Sequence, residues 1–221
     1  MDIKNLIELK GAIIGMILGD GHITRNGYVQ IASISKEYLI WKKEILENLT
    51  DVSLKEEMKR EGSFGKNPLY LCRTRVHPLY KGLRIRMYLE NGRQIDDYIM
   101  NTLTPLGLLF WYLDDGNLDF CGGRGMNLEI SSNRYSYGDH LLFCKKFNDR
   151  FGLRFNIHQK FSKKRNRRYC LLYLAAKDRL KFYDMIVAPY VGKIPTDMLY
   201  KIPKRESIVR IMESSKSHPQ L

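Results

Sequence analysis

The sequence predicts an α+β fold built from one αββαββα unit used twice, the copies related by a pseudo-twofold axis and each carrying an antiparallel sheet. Three observations predict it. Two apolar helical stretches, Gly11 to Gly21 (GAIIGMILGDG) and Leu103 to Gly116 (LTPLGLLFWYLDDG), end alike in Asp-Gly. Each is followed by the same succession of hairpin and helix signals. Asp20 maps onto Asp115, 95 residues on, and the helix start His77 onto Lys177, 100 residues on. That period is longer than solenoid repeats and fits duplication within one chain, giving a pseudo-twofold monomer. The halves then cover residues 1–95 and 105–212, with 96–104 as linker and 213–221 (ESSKSHPQL) as a disordered tail.

The first helix runs from Asn5 to Gly19. Gly11, Gly15 and Gly19 recur every four residues, so they form a stripe along one side. Each glycine costs a helix about 1 kcal/mol relative to alanine, and three on one face imply the close approach of another backbone. Ile13, Ile14, Met16, Ile17 and Leu18 cover the other sides, so the helix is buried nearly all round. Strands follow at His22–Thr24 and Tyr28–Ser33, joined across Arg25-Asn26-Gly27, where Asn-Gly is a strong hairpin signal. Ser35 caps a helix from Lys36 to about Asn48. Ser53–Arg60 and Leu69–Val76 form a second hairpin, His77–Leu89 a helix, and Asp96–Thr102 a short helix or linker. Pro105 opens the second motif helix, to which Gly107 offers another point of close approach.

The second copy repeats the pattern. Leu118–Cys121 and Asn127–Ser132 are strands, Tyr137–Phe151 is a helix closed by Gly152, Leu153–Phe161 and Tyr169–Ala175 are strands, and Lys177 to about Val187 is a helix.

Composition narrows the function. Lys and Arg number 37 against 24 acids, a formal charge of +13, and the excess is spread along the chain. That pattern favours a broad polyanion-binding surface, with nucleic acid the usual partner. No apolar run approaches the roughly 20 residues a membrane span needs. The N-terminus carries no signal-peptide pattern. Cys72, Cys121, Cys144 and Cys170 are scattered without a CxxC pair, so neither a zinc site nor a disulfide framework is indicated. These features suggest an intracellular protein, cytoplasmic in a prokaryote or organellar if organelle-encoded.

Asp at a helix C-terminus opposes the macrodipole, so a matched pair of terminal acids calls for a purpose. Held side by side, two carboxylates repel, and one protonates unless cations neutralise them. Hard oxygen ligands of this kind suit Mg²⁺. The two sheets supply a further surface. Alternate side chains on one face of a strand can reach base edges in a major groove. In the first half these are Tyr28, Gln30, Lys55, Glu57, Lys59, Arg73 and Arg75; in the second, Asn127, Glu129, Ser131, Asn156, His158, Lys160 and Tyr173. The basic loop Lys163, Lys164, Arg165, Arg167 and Arg168 suits phosphate contact better than base reading, with a solvated loop or a localisation signal as alternatives. Lys42, Lys43, Lys145 and Lys146, on matching helices, suit flanking DNA backbone.

GAIIGMILGDGHI and LTPLGLLFWYLDDG resemble the two motif copies of a single-chain LAGLIDADG homing endonuclease, and Ile194–Pro203 (IPTDMLYKIP) is similar to the end of one branch of that family. The resemblance covers nearly the whole chain. It implies that the motif helices pack together, with Gly11, Gly15, Gly19 and Gly107 at the contact, and place Asp20 beside Asp115. It implies a monomer whose two sheets make a saddle for double-stranded DNA, cut at a long asymmetric target. Asp20 and Asp115 would hold two or more Mg²⁺ ions, with Mn²⁺ able to substitute and the carbonyls of Gly19 and Asp114 as further ligands. A basic residue in each half would order water: Lys201 in the second, and in the first Arg93, with Gln94 as runner-up. The third motif position, small in the family, is Gly15 in one copy but Phe110 in the other. An intron RNA maturase, acting on its own intron RNA, and a DNA-binding regulator without cleavage are the alternatives on the same scaffold.

Overall fold

The computed structural model describes residues 5–57, 68–90, 92–121, 125–162 and 166–217. Lys59, Lys163, Lys164, Arg165 and the turn at 122–124 lie outside them, and for Glu57 and Arg167 only the backbone is described.

Helix α1 spans Leu6–Leu18, capped by the Asn5 side chain, which accepts the Ile7 N–H. It is followed by β1 (His22–Ile23), β2 (Val29–Ser33), α2 (Lys36–Leu46, capped by Ser35), β3 (Val52–Glu57), β4 (Leu69–Thr74) and α3 (Pro78–Met87). The short helix α4 (Asp97–Thr102) leads to α5 (Pro105–Asp115). The second copy then runs β7 (Gly116–Cys121), β8 (Gly125–Ser131), α6 (Tyr137–Phe151), β9 (Phe155–Ser162) and β10 (Arg167–Leu174). The two four-stranded antiparallel sheets have matching orders, β1-β2-β4-β3 and β7-β8-β10-β9. This is the αββαββα repeat. Gly27 at φ 84° and Gly152 at φ 59° hold the left-handed conformations that the first hairpin and the end of α6 require.

The glycine stripe has the cause read from its spacing. A Cβ on Gly15 would lie 1.8 Å from the Gly107 carbonyl oxygen, one on Gly107 2.1 Å from the Gly11 oxygen, and one on Gly11 2.6 Å from the Thr102 oxygen. No side chain fits, so α1 and α5 pack backbone to backbone at the centre, and everything else is arranged about that contact. Phe110, the bulky departure, turns away from it to pack on Trp41 and Tyr38 of α2, with ring centroids 4.7 and 6.3 Å away.

Three expected elements differ. The helix expected through Leu89 stops at Met87, and Tyr88–Leu89 (β5) pairs with Gly92–Arg93 (β6) as a small hairpin. The expected helix from Lys177 is instead a run of changing pitch: a 3₁₀ turn at Ala176–Asp178, α7 (Arg179–Phe182), a π turn at Tyr183–Val187, and 3₁₀ turns at Ala188–Lys193 and Thr196–Lys201. Helix α8 (Arg205–Ser217) continues into the tail expected to be disordered, because Ile208 buries itself in the core and anchors it.

Candidate active site

The adjoining C-terminal ends of α1 and α5 set the site. Asp20 follows α1 directly and is exposed; Asp115 is the last residue of α5 and is half-buried. Each carboxyl titrates above its ordinary value. For Asp115, burial, then the charges of Asp20 and Asp114, push it up to about 6. For Asp20, desolvation and then Asp114 raise it. The acids are therefore close enough to repel, the condition that a bound cation relieves.

The two basic candidates occupy equivalent places. Lys201 Nζ donates to the carbonyls of Leu113 (2.6 Å) and Asp114 (2.9 Å) at the end of α5. Arg93, aimed by the β5–β6 hairpin, donates to the carbonyls of Ile17 and Gly21 around the end of α1. Cations at helix C-termini answer the macrodipole and the unpaired carbonyls there. Gln94 donates its backbone N–H to Met87 at 3.1 Å. Burial lowers the Lys201 ammonium pKa, while Asp114, Asp20 and Asp115 oppose that shift.

The carbonyls expected as extra metal ligands each accept a hydrogen bond from a cation. Asp114 O accepts from Lys201, and Gly19 O accepts from Arg134 Nη1 at 3.2 Å. Arg134, whose charge lowers the pKa of both Asp20 and Asp115, was missed in the sequence. The signal for it was there: one residue separates the end of β2 from the cap of α2, whereas four separate β8 from the cap of α6. The Asp114 side chain is buried. Lys42 Nζ sits 2.5 Å from its Oδ1, with both side chains only 1% exposed. Tyr38 Oη donates to the same oxygen at 2.9 Å, and the Asp20 N–H to Oδ2 at 3.0 Å. Lys42 is thus a core residue, not a DNA-backbone contact. Its spacing from Tyr38 and Ile45 on the apolar side of α2 was the overlooked sign. Of the other helix lysines, Lys43 pairs with Glu47 and Lys146 with Asp97.

Among the described residues, no three His, Cys, Asp or Glu side chains converge as a metal cage. The donor set is two carboxylates at adjoining helix ends, with an open cleft beside Asp20. That suits a hard divalent ion which keeps water and takes its remaining ligands from a phosphate-bearing substrate.

The expected recognition residues share faces as their alternation required. His22 lies opposite Gln30, Gln30 opposite Arg73, and Lys55 opposite Leu71, on the face away from the core residues Val29, Ile31 and Cys72. In the second sheet Glu129 lies opposite Tyr173, Ser131 opposite Leu171, and Asn156 opposite Tyr173. Several are knit to each other. The Arg73 guanidinium lies 5.5 Å from the Tyr28 ring, His158 stacks on Tyr173 at 4.5 Å, Tyr173 donates to Asn127, and Lys160 lies 3.2 Å from Glu129. Arg75 makes an exposed ion pair with Asp51. Arg168 lies opposite Phe161 in the register of β9 and β10.

The profile of the LAGLIDADG DNA endonuclease family matches residues 10–182. The chain belongs to that family. It is 27% identical over 211 residues to protein RecA of Mycolicibacterium flavescens, covering 87% of this chain and 46% of that protein. It is 28% identical over 212 residues to the cytochrome b mRNA maturase bI2 of Saccharomyces cerevisiae, covering 89% and 47%. The chain therefore spans less than half the length of these relatives. Among solved structures, the LAGLIDADG fold seen here is similar to the homing endonuclease I-WcaI bound to its DNA recognition sequence, with TM-score 0.71 and 22% identity over 89% of this chain and 86% of that one. It is also similar to I-DmoI in complex with DNA and Mn, with TM-score 0.52 and 16% identity over 83% and 98%.

Proposed function

We propose that this LAGLIDADG protein is a site-specific DNA endonuclease that cuts both strands of a long asymmetric target, acting as a monomer with divalent metal ions. The observation that carries the reading is the acid pair: Asp20 and Asp115 stand at the ends of two helices that meet backbone to backbone at Gly15 and Gly107, and the charge of Asp20 helps to raise the pKa of Asp115. One acid per half matches one cut per strand.

Asp20 and Asp115 would hold the ions. Bound Mg²⁺, or Mn²⁺ as in the I-DmoI complex, would polarise the scissile phosphate and make water acidic. Lys201 and Arg93 brace the two helix ends and offset charge that builds on the phosphate. Arg134 adds a third cation on the Asp115 side. None of the three is placed as a strong base, because each is already donating to backbone carbonyls. The open sheet faces supply recognition, and two non-identical faces fit a non-palindromic site. The likeness to I-WcaI bound to its recognition sequence supports double-stranded DNA as partner.

The test is incubation with a DNA library in Mg²⁺, followed by sequencing of cut ends. Cleavage at one long site is expected, and no cleavage of any target overturns the reading. The similarity to the bI2 maturase favours an RNA role as the second reading. Tight, specific binding of an intron RNA without DNA cleavage is the result that would select it, and specific DNA binding without cleavage would select a regulator.

A further inference from the structure

The two motif copies differ at one position in the site: Gly19 in the first is Asp114 in the second. The structure gives this difference a geometric meaning. A Cβ on Gly19 would lie 2.3 Å from Asp114 Oδ2, so the missing side chain on α1 is the space the carboxylate of α5 occupies. From there Oδ2 accepts the backbone N–H of Asp20 at 3.0 Å, across the helix interface. Oδ1 is held by Lys42 at 2.5 Å and Tyr38 at 2.9 Å, both from α2. The Tyr38 hydroxyl also reaches the Phe110 carbonyl at 3.3 Å. A buried, fully paired carboxylate thus runs as a rigid link from α2 to the main chain of the residue that carries the exposed acid.

A buried ion pair is weak as a source of stability, since desolvation offsets its attraction. Its better-attested use is to fix one arrangement among several. Here the arrangement fixed is the main-chain position of Asp20, and Gly19 has no side chain with which to make the same contact to the Asp115 N–H. We propose that Lys42, Tyr38 and Asp114 form a positioning device for Asp20, through the Asp114–Asp20 hydrogen bond, and that Asp20 depends on it to meet metal and phosphate. This inference rests on the endonuclease reading.

The test separates the hydrogen bond from the charge pair. Lys42→Gln with Asp114→Asn is neutral but keeps an oxygen for the Asp20 N–H; Lys42→Gln with Asp114→Ala is neutral and has none. Both are compared with wild type for thermal stability, for DNA affinity in Ca²⁺, and for cleavage rate against Mg²⁺ concentration. The expected result is cleavage within about threefold of wild type for the Asn variant and a loss of about 100-fold for the Ala variant, the cost of misplacing a reacting group by roughly 1 Å. The Ala variant should need more Mg²⁺ and bind DNA in Ca²⁺ as wild type does. Tyr38→Phe, losing one of the carboxylate's donors, should fall between the two. Equal cleavage by the two double variants overturns the proposal, as does a loss that follows melting temperature alone. If wild type cuts no DNA while remaining folded, it is the endonuclease reading that fails, and the proposal falls with it.

Discussion

Beside Asp20, the chain passes from β2 to the cap of α2 through Ile34 alone, and an open cleft of about 600 Å³ remains, lined among others by Ser33, Ile34, Tyr38, Tyr200 and Lys201. Beside Asp115, the matching turn from β8 to α6 is longer, and Arg134 and Tyr135 fill the space. Tyr135 is buried edge-on against Trp111 and Phe143, and burial pushes its hydroxyl up to about 12. Arg134 reaches across to α1. The two halves thus share strand order, the terminal acid and a cationic brace, yet their acids stand in unlike surroundings. Asp20 is exposed, and its N–H is held by a buried ion pair; Asp115 is half-buried beside a guanidinium. The two halves share what requires symmetry, the close helix contact and the acid pair, while the side chains around each acid differ.

The largest expected effects test whether the acids remain equal despite this. Asp20→Asn and Asp115→Asn should each lower double-strand cleavage by about 1000-fold or more, because each removes a charged metal ligand. Binding in Ca²⁺ should survive. If one variant still cuts both strands, that half is dispensable and the comparison breaks.

The shared contact comes next. Gly15→Ala should destabilise the fold by about 3 kcal/mol or more, since its methyl would meet the Gly107 backbone. Gly82→Ala in α3 meets nothing within 4 Å and should be neutral or stabilising by up to about 1 kcal/mol. Chemical denaturation of the two variants reads the difference directly.

The braces should prove unequal. Lys201→Met, beside the open cleft, should slow cleavage by about 100-fold as a lost electrostatic contact. Arg93→Met should cost less, because Tyr88 also engages its guanidinium, 5.2 Å from the ring, and Arg134 remains nearby. Single-turnover rates at saturating Mg²⁺ would show the order, and equal losses would mean that the clefts do not differ in function.

The smallest effect is on pH dependence. The folded pKa of Asp115, about 6, lies above its ordinary 3.8, so the native state binds more protons than the unfolded state between these values. Metal-free protein should therefore lose stability as pH rises from about 4 to 6, and keep that loss above 6. Mg²⁺ should raise the melting temperature at pH 7.5 and scarcely at pH 5, and cleavage should fall as pH drops through 6. A melting temperature that rises from pH 4 to 6 without metal would contradict the burial assigned to Asp115.

How far the sequence could be read depended on whether a feature was local. The cap at Ser35, the Asn26-Gly27 hairpin and the Gly152 stop each follow from neighbouring backbone chemistry, and all appear as read. The β5–β6 hairpin was equally local but was hidden by an apolar run that suited a longer helix. Lys42 was misread for a different reason: adjacent lysines look alike in sequence, and only one of them faces a carboxylate 72 residues away.

The sequence by itself determined the repeat, the sheet faces, the glycine contact and the identity of the paired acids. Each is written in spacing, and spacing survives without knowledge of distant neighbours. Only the tertiary structure decided which cation meets which oxygen. Asp114 turns inward to Lys42, Arg134 takes the Gly19 carbonyl, and Arg93 reaches the end of α1. Those choices depend on Coulomb energies and desolvation that change over a few ångströms, between groups far apart in the chain, so they exist only once the helices have packed.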